Sequence, residues 1–396
     1  MAKFTNLKCL VVSNPSRMAS IDTMALDITA AMRSLGIGAR IFMSAIQGNN
    51  PSLFQNLLEE MKLHPGPSLI IDINAKMKIL TKESNFFDLF DVPKFSFITD
   101  NPIHHISHLK NIPNNSLCGM VSEEHLEHSR LFGLDPEKCI FFPHGGPPAL
   151  SHMRKTSERN IELLFAGNIS EVPCFREWAD ETFANNSIQK KVMLKMSKYI
   201  DSSAPRLFSI LSETITNIGN FEKCMILEAI FGPFERFLIN RERFRILSAI
   251  KKHPVTVIGN VSNEIVRMLP QHSFLGEKTY TEVMDAMTRS KISLNISPSF
   301  KSGGHERIFY SLAYGGYLLT DKNDFLKKDR LLNPFINFFP NNINLLDKII
   351  TKTLNDTKLL DEQRKISTSH YSQNHTWEKR VLPILNKLQK TYWDKP

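Results

Sequence analysis

The chain lacks a C-x-x-C pair. Its five cysteines, Cys9, Cys118, Cys139, Cys174 and Cys224, are odd in number and scattered, which excludes a disulfide framework and offers no zinc-ligand spacing. There is no uncharged apolar run near the ~20 residues that cross a bilayer. The short run Cys9 to Val12 stops at Ser13 and Asn14 before a signal-peptide core forms, so the expectation is a cytoplasmic protein with reduced thiols. Nucleophile elbow, Walker loop and G-x-G-x-x-G fingerprint are all missing, which argues against phosphoryl transfer and nicotinamide chemistry. No short-period repeat or low-complexity tract occurs. Acidic residues are in deficit, 40 against 49 Lys and Arg, for a net charge of +9. Because the basic residues are dispersed, this charge implies an anionic substrate or peripheral contact with the inner face of a membrane, and no nucleic acid.

What is present is length and alternation. With 396 residues and 42% hydrophobic content, the chain is about twice a single-domain length and can build two cores. Apolar runs at Leu7 to Val12, Ala39 to Met43, Ser68 to Ile73, Phe95 to Thr99, Ser116 to Val121 and Cys139 to Phe142 read as strands. Helical spacing at Ile21 to Leu35 and near Ser52 to Leu63 separates the first of them. The rhythm restarts at Ile161 to Ala166, Val255 to Ile258, Ile292 to Ile296 and Tyr317 to Leu319. Strands alternating with helices imply parallel sheets covered on both faces, an α/β chain of two Rossmann-like domains facing across a cleft.

The break falls at Gly145 to Arg159. This predicts an N-terminal domain over 1–150 and a second domain over 151–374, with a helical insertion at about 172–251. By analogy with two-domain folds of this kind, a terminal segment over 375–396, helical at Trp377 to Leu388, is expected to cross back to the first domain.

The segment with most chemical content runs from Lys291 to Asp321 and reads as strand, glycine loop, helix, Gly315-Gly316 turn and strand. A buried strand ending in Gly303-Gly304 lets backbone N–H groups approach a diphosphate, and the next helix aims its positive dipole end at the same place. Arg307 adds a bidentate phosphate contact. His305 and Glu306 stand at the helix mouth.

This segment resembles the sugar-nucleotide core of the spore-maturation, CgeB-like glycosyltransferases, in which an Arg-x-Phe pair leads into a small-residue helix, a Gly-Gly turn and a strand ending in Thr. Here those residues are Arg307, Phe309, Ala313, Gly315, Gly316 and Thr320. Asp100-Asn101-Pro102, Pro143-His144-Gly145-Gly146, Phe165-Ala166-Gly167-Asn168 and His375 to Arg380 look like further landmarks of that family. The resemblance implies a GT-B fold and a nucleotide-sugar donor held by Asn295, Gly303, Gly304, His305, Arg307 and Tyr310. It implies a glycan, lipid-linked or protein acceptor on the first domain. One departure matters. Related retaining enzymes carry two glutamates seven residues apart around this loop, and alignment on Ala313 and Gly315 puts Ser302 and Tyr310 in their places. The retaining mechanism therefore does not carry over.

Loops after parallel strands face the ligand crevice, which makes Asp100 the first candidate for the general base of an inverting transfer and His144 the second. His104, His105, Gly145, Gly167 and Asn168 are expected to line the cleft or the acceptor site. His104 and His108 have helical ligand spacing but no third ligand, so no metal or other cofactor is expected. Glu123 and Glu124, ahead of His125 and His128, suit a helix N-terminus. Two further readings share the architecture: a sugar-nucleotide epimerase, or a non-catalytic sugar- or nucleotide-binding protein.

Overall fold

The computed structural model describes residues 4, 6–13, 19–43, 51–62, 68–76, 92–109, 112–172, 174–197, 207–329 and 337–393. The predicted end of the second helix at Leu63, and Asn14 after the first strand, lie outside them.

Six runs rich in β-branched and aromatic residues form the first sheet: β1 (Lys8–Ser13), β2 (Gly38–Met43), β3 (Leu69–Ile73), β4 (Lys94–Ile98), β5 (Ser116–Met120) and β6 (Cys139–Phe141). Their order is β2-β1-β3-β4-β5-β6, and every described pairing is parallel. β3, β4 and β5 are buried along their whole length, the signature of a sheet covered on both faces. Lys94 on β4 and Asp72 on β3 bury a 3.1 Å ion pair between neighbouring strands.

The second sheet comprises β7 (Ile161–Ala166), β8 (Val255–Ile258), β9 (Ser273–Phe274), β10 (Ser290–Asn295), β11 (Tyr317–Thr320) and β12 (Asn337–Phe338), in the order β12-β11-β10-β7-β8-β9, again parallel. β9 and β12 escaped the sequence reading because two residues carry no period. Between β7 and β8 lie the helices Phe175–Thr182, Ser187–Met196, Leu207–Thr214 and Asn220–Ala249. They share a core of Val192, Met193, Leu211, Leu227, Ile230 and Phe234 that also takes in Ile103 and Ile106 from the first half of the chain. This helical segment therefore packs on both halves of the chain.

The terminal helix Trp377–Leu388 buries Trp377, Val381, Ile384, Leu385 and Leu388 in the core built around β1, β4 and the helix Ala19–Ser34. The chain enters it past the Gly145-Gly146 loop, where Gly146 N–H donates to His375 O at 3.3 Å and Trp377 N–H to Gly146 O at 2.9 Å. Among the described residues no helix is long and apolar enough to cross a membrane.

Candidate active site

The carboxyl ends of the two sheets meet. A cavity of about 90 Å³ lies between them, lined by Asp100, Asn101 and His125 from the first half, Glu235 and Arg243 from the helix Asn220–Ala249, and Ser297 and His305 after β10. Pockets that enclose small ligands hold roughly 300–1,000 Å³. Beside this cavity, an open pocket of about 470 Å³ lies among Asn168, Glu171, Trp178 and Asn260.

One side of the junction is cationic. Arg307, the second residue of the helix Glu306–Ala313, donates to Ala166 O at the end of β7 and to Ser297 Oγ at 2.9 Å. Arg243 reaches the same place from the inserted helix and donates to Asn168 O at 2.7 Å. Both guanidiniums lie over the ring of Phe165, at 5.6 Å for Arg243 and 6.0 Å for Arg307. A Cβ added to Gly167 would meet Arg307 Nη1 at 3.0 Å and Arg243 Cζ at 3.4 Å. Burial and the adjacent Arg307 push Arg243 down to about 9, so it stays protonated at neutral pH.

Neither guanidinium is paired with a carboxylate among the described residues. Glu306 lies 2.8 Å from His305 Nδ1. Burial alone would raise this carboxyl, but His305, His144 and Arg307 outweigh it and hold Glu306 well below the usual carboxylate range. Burial and Arg307 push the His305 imidazole down to about 4, so it is neutral. Asp321, which accepts the Ser297 N–H, is pushed up by burial to about 7 and offers only part of a negative charge.

The opposite side is acidic and histidine-rich. Asp100, at the end of β4, is 57% exposed and lies 3.8 Å from His105 Nε2. Although burial of its surroundings would raise it, His105 and His104 pull this carboxyl down to about 2. The turn before Pro102 is capped by Asn101, whose Oδ1 accepts from Ile103 N–H at 3.1 Å, which leaves the Asp100 carboxylate free of that work. His104 binds Glu235 of the inserted helix at 2.6 Å. His144 is buried, its Nε2–H donates to Thr99 O at 3.3 Å, and its ring packs edge-on against Phe97. It is absent from the lining of the 90 Å³ cavity.

Several residues expected at the donor do other work. Lys301 N–H and Ser302 N–H both donate to the carboxylate of Glu124, at 3.1 Å each, and Gly303 pairs with Ser122 across the junction. A Cβ on Gly303 would overlap the Val121 carbonyl oxygen and stand 2.9 Å from Ser122 Cα, and one on Gly304 would strike the Phe309 ring at 2.7 Å. Asn295 ties β10 to β11 through a 2.8 Å bond to Thr320 Oγ1. The Tyr310 hydroxyl donates to Asp27 of the helix Ala19–Ser34, and its buried ring meets Tyr280 edge-on at 5.5 Å. Gly145 lies under Trp377 and Arg380. Gly167 and Asn168 stand where the guanidiniums converge. Arg243, Glu235 and His125 were missed as site residues; nothing in the local sequence of a long helix marks Arg243 or Glu235 as facing a distant loop.

Asp329, His370 and His375 have metal-ligand spacing, with their ligand atoms within 4.8 Å of one another. Hydrogen bonding fills the set. Asp329 accepts from His370 Nε2–H at 3.0 Å and His375 Nε2–H at 2.8 Å, while Arg380 donates to His375 Nδ1 at 2.7 Å. A metal on His375 Nε2 would require a proton on Nδ1, facing that guanidinium, so the trio does not suit a cation.

Two parallel six-stranded sheets joined at their carboxyl ends define the architecture. The chain has the GT-B fold. An alpha-glucosyltransferase in complex with UDP superposes with a TM-score of 0.54 at 9% identity, covering 96% of this chain and 99% of that one. AviGT4, a glycosyltransferase involved in avilamycin A biosynthesis, gives 0.53 at 10% identity over 98% and 99%. Sucrose-phosphate synthase from Thermosynechococcus elongatus gives 0.52 at 8% identity over 98% and 100%. No family model matches the sequence, and no curated protein matches it. At such identities the likeness is one of GT-B architecture, and function has to be argued from the site.

Proposed function

We propose that the protein is a glycosyltransferase that moves a sugar from a nucleoside-diphosphate sugar to a hydroxyl of a glycan, lipid-linked or protein acceptor. The observation that carries this reading is the pair of guanidiniums, Arg243 and Arg307, gathered around Gly167 at the cleft end of β7 with no carboxylate partner among the described residues. Two cations held side by side repel, and a diphosphate relieves that repulsion while accepting charge-assisted hydrogen bonds. The same fixed charge stabilises the diphosphate as it departs, the role a metal plays elsewhere. Transfer is therefore metal-independent and survives chelation. The open pocket beside Asn168 takes the part of the donor that the 90 Å³ cavity cannot hold.

The narrower kinship is with the CgeB-like group, supported by the Arg307-x-Phe309 helix and the Gly315-Gly316 turn, where Gly315 adopts φ 70°. The domains divide at 150 and 374, the first half carrying the acceptor side and the second the donor side. Asp100 is the base. A carboxyl near 2 does not deprotonate a free hydroxyl, so the proton moves late, as the acceptor oxygen bonds to C1 and the C1–O bond to the diphosphate breaks. A single displacement of this kind inverts the anomeric configuration.

The test is incubation with a panel of UDP-, GDP- and dTDP-sugars, with and without saccharide acceptors. Acceptor-dependent release of nucleoside diphosphate supports the reading. Donor conversion without acceptor makes the protein an epimerase, and binding without turnover a non-catalytic binding protein. Asp100→Asn should lower turnover by about 10²–10⁴-fold with donor binding unchanged.

A further inference from the structure

His125 is the third residue of the helix Glu123–Leu131, which follows β5, and lines the cavity between the two halves. The residue is 2% exposed, and its Nδ1 has no hydrogen-bond partner among the described residues. The ring is wedged between His128, nearly stacked with centroids 6.2 Å apart, and Phe300, at 6.0 Å. A buried polar nitrogen without a partner is costly, and native proteins complete one with water, an ion or a bound molecule. His125 shares the cavity wall with Asp100, Asn101 and Glu235, whereas the paired guanidiniums gather on the far side, at Gly167.

We propose that His125 is a substrate-contacting residue whose imidazole holds a sugar hydroxyl at the reacting end of the cleft. The ligand class follows from charge and valence. Burial pushes the imidazole down to about 3, so it is neutral and offers one donor and one acceptor, the complement of a hydroxyl. An anion is disfavoured there by the carboxylates of Asp100 and Glu235. The hydroxyl belongs to the donor sugar or to the acceptor, two sources with the same chemistry. This assignment rests on the transferase reading above but has its own readout.

His125→Phe removes both nitrogens at nearly constant shape, and His125→Asn restores one donor and one acceptor. Because Nδ1 has no partner among the described residues, His125→Phe should melt at or above the wild-type temperature; a fall of several degrees would show that the imidazole is structural and overturn the proposal. With a sugar nucleotide that supports turnover, His125→Phe should lose about tenfold or more in kcat/KM and His125→Asn should recover part of it. A rise confined to the donor KM assigns the hydroxyl to the donor sugar, and a rise confined to the acceptor KM assigns it to the acceptor. Unchanged kcat/KM overturns the proposal. If no sugar nucleotide is turned over, the transferase reading fails, and methyl α-glucoside added to ¹⁵N-histidine-labelled protein decides this one. A shift of the His125 ring resonances sustains it, and their constancy rejects it.

Discussion

Two glycine turns stand at the cleft ends of neighbouring strands, and they do opposite work. After β10, Gly303 is pressed against Val121 and Ser122 of the other half, and the adjacent N–H groups of Lys301 and Ser302 are spent on Glu124. After β7, Gly167 leaves room for the guanidiniums of Arg243 and Arg307. Glycine permits close approach in both places, but what approaches differs: the protein's own backbone in one, cationic side chains in the other. A glycine-rich loop is thus a statement about space, and the charge beside it decides whether an anion enters.

This contrast is broken or sharpened most strongly at Arg307. Arg307→Ala should weaken binding of a nucleoside diphosphate by about 1.5–3 kcal/mol, read by calorimetry, because a charge-assisted contact is lost. Unaltered affinity would return the diphosphate to the Gly303 loop. Gly303→Ala should act on the fold, lowering unfolding free energy by about 1–3 kcal/mol through overlap with the Val121 carbonyl. Gly167→Ala meets the far ends of side chains, Phe165 Cζ at 2.9 Å and Arg307 Nη1 at 3.0 Å, so it should cost less stability and more diphosphate affinity. A reversal of that order in denaturant and binding titrations would exchange the roles of the two turns.

The smallest effect expected is electrostatic. Burial raises Asp321 to about 7, and it lies within the field of both guanidiniums. A carboxyl with a raised pKa is neutral below that value and charged above it, so Asp321 opposes an incoming diphosphate only on the alkaline side. Asp321→Asn should tighten diphosphate binding several-fold at pH 8 and leave it unchanged at pH 6. Comparison with wild type at each pH cancels the titration of the ligand. Equal gains at both values would mean that Asp321 is ionised throughout.

Much of the scaffold was legible because buried parallel strands read as apolar runs: β3, β4 and β5 were found within a residue or two of their ends. β9 and β12 were not, since two residues cannot display a period. Arg307 was legible because it stands at the start of a helix that follows a glycine loop. Arg243 was not, for its partner loop at Gly167 lies on the far side of three inserted helices. Tyr310 was matched to a ribose ligand by alignment, yet its hydroxyl goes to Asp27, a contact between halves of the chain that no local pattern encodes. The unpartnered nitrogen of His125 was equally hidden, because its sequence neighbours, Glu123 and Glu124, explain the helix start without it.

The central claim is that Arg243 and Arg307 share one diphosphate. It is tested most directly by calorimetric titration of UDP, GDP and dTDP, each against its parent nucleoside, into the wild type, both single alanine variants and the double variant. The account predicts that the wild type prefers at least one diphosphate over its nucleoside. Each single variant should lose much of that preference, and the double variant should lose little more than the worse single one, because the two contacts serve the same group. A double variant that still prefers the diphosphate as strongly as the wild type would contradict it.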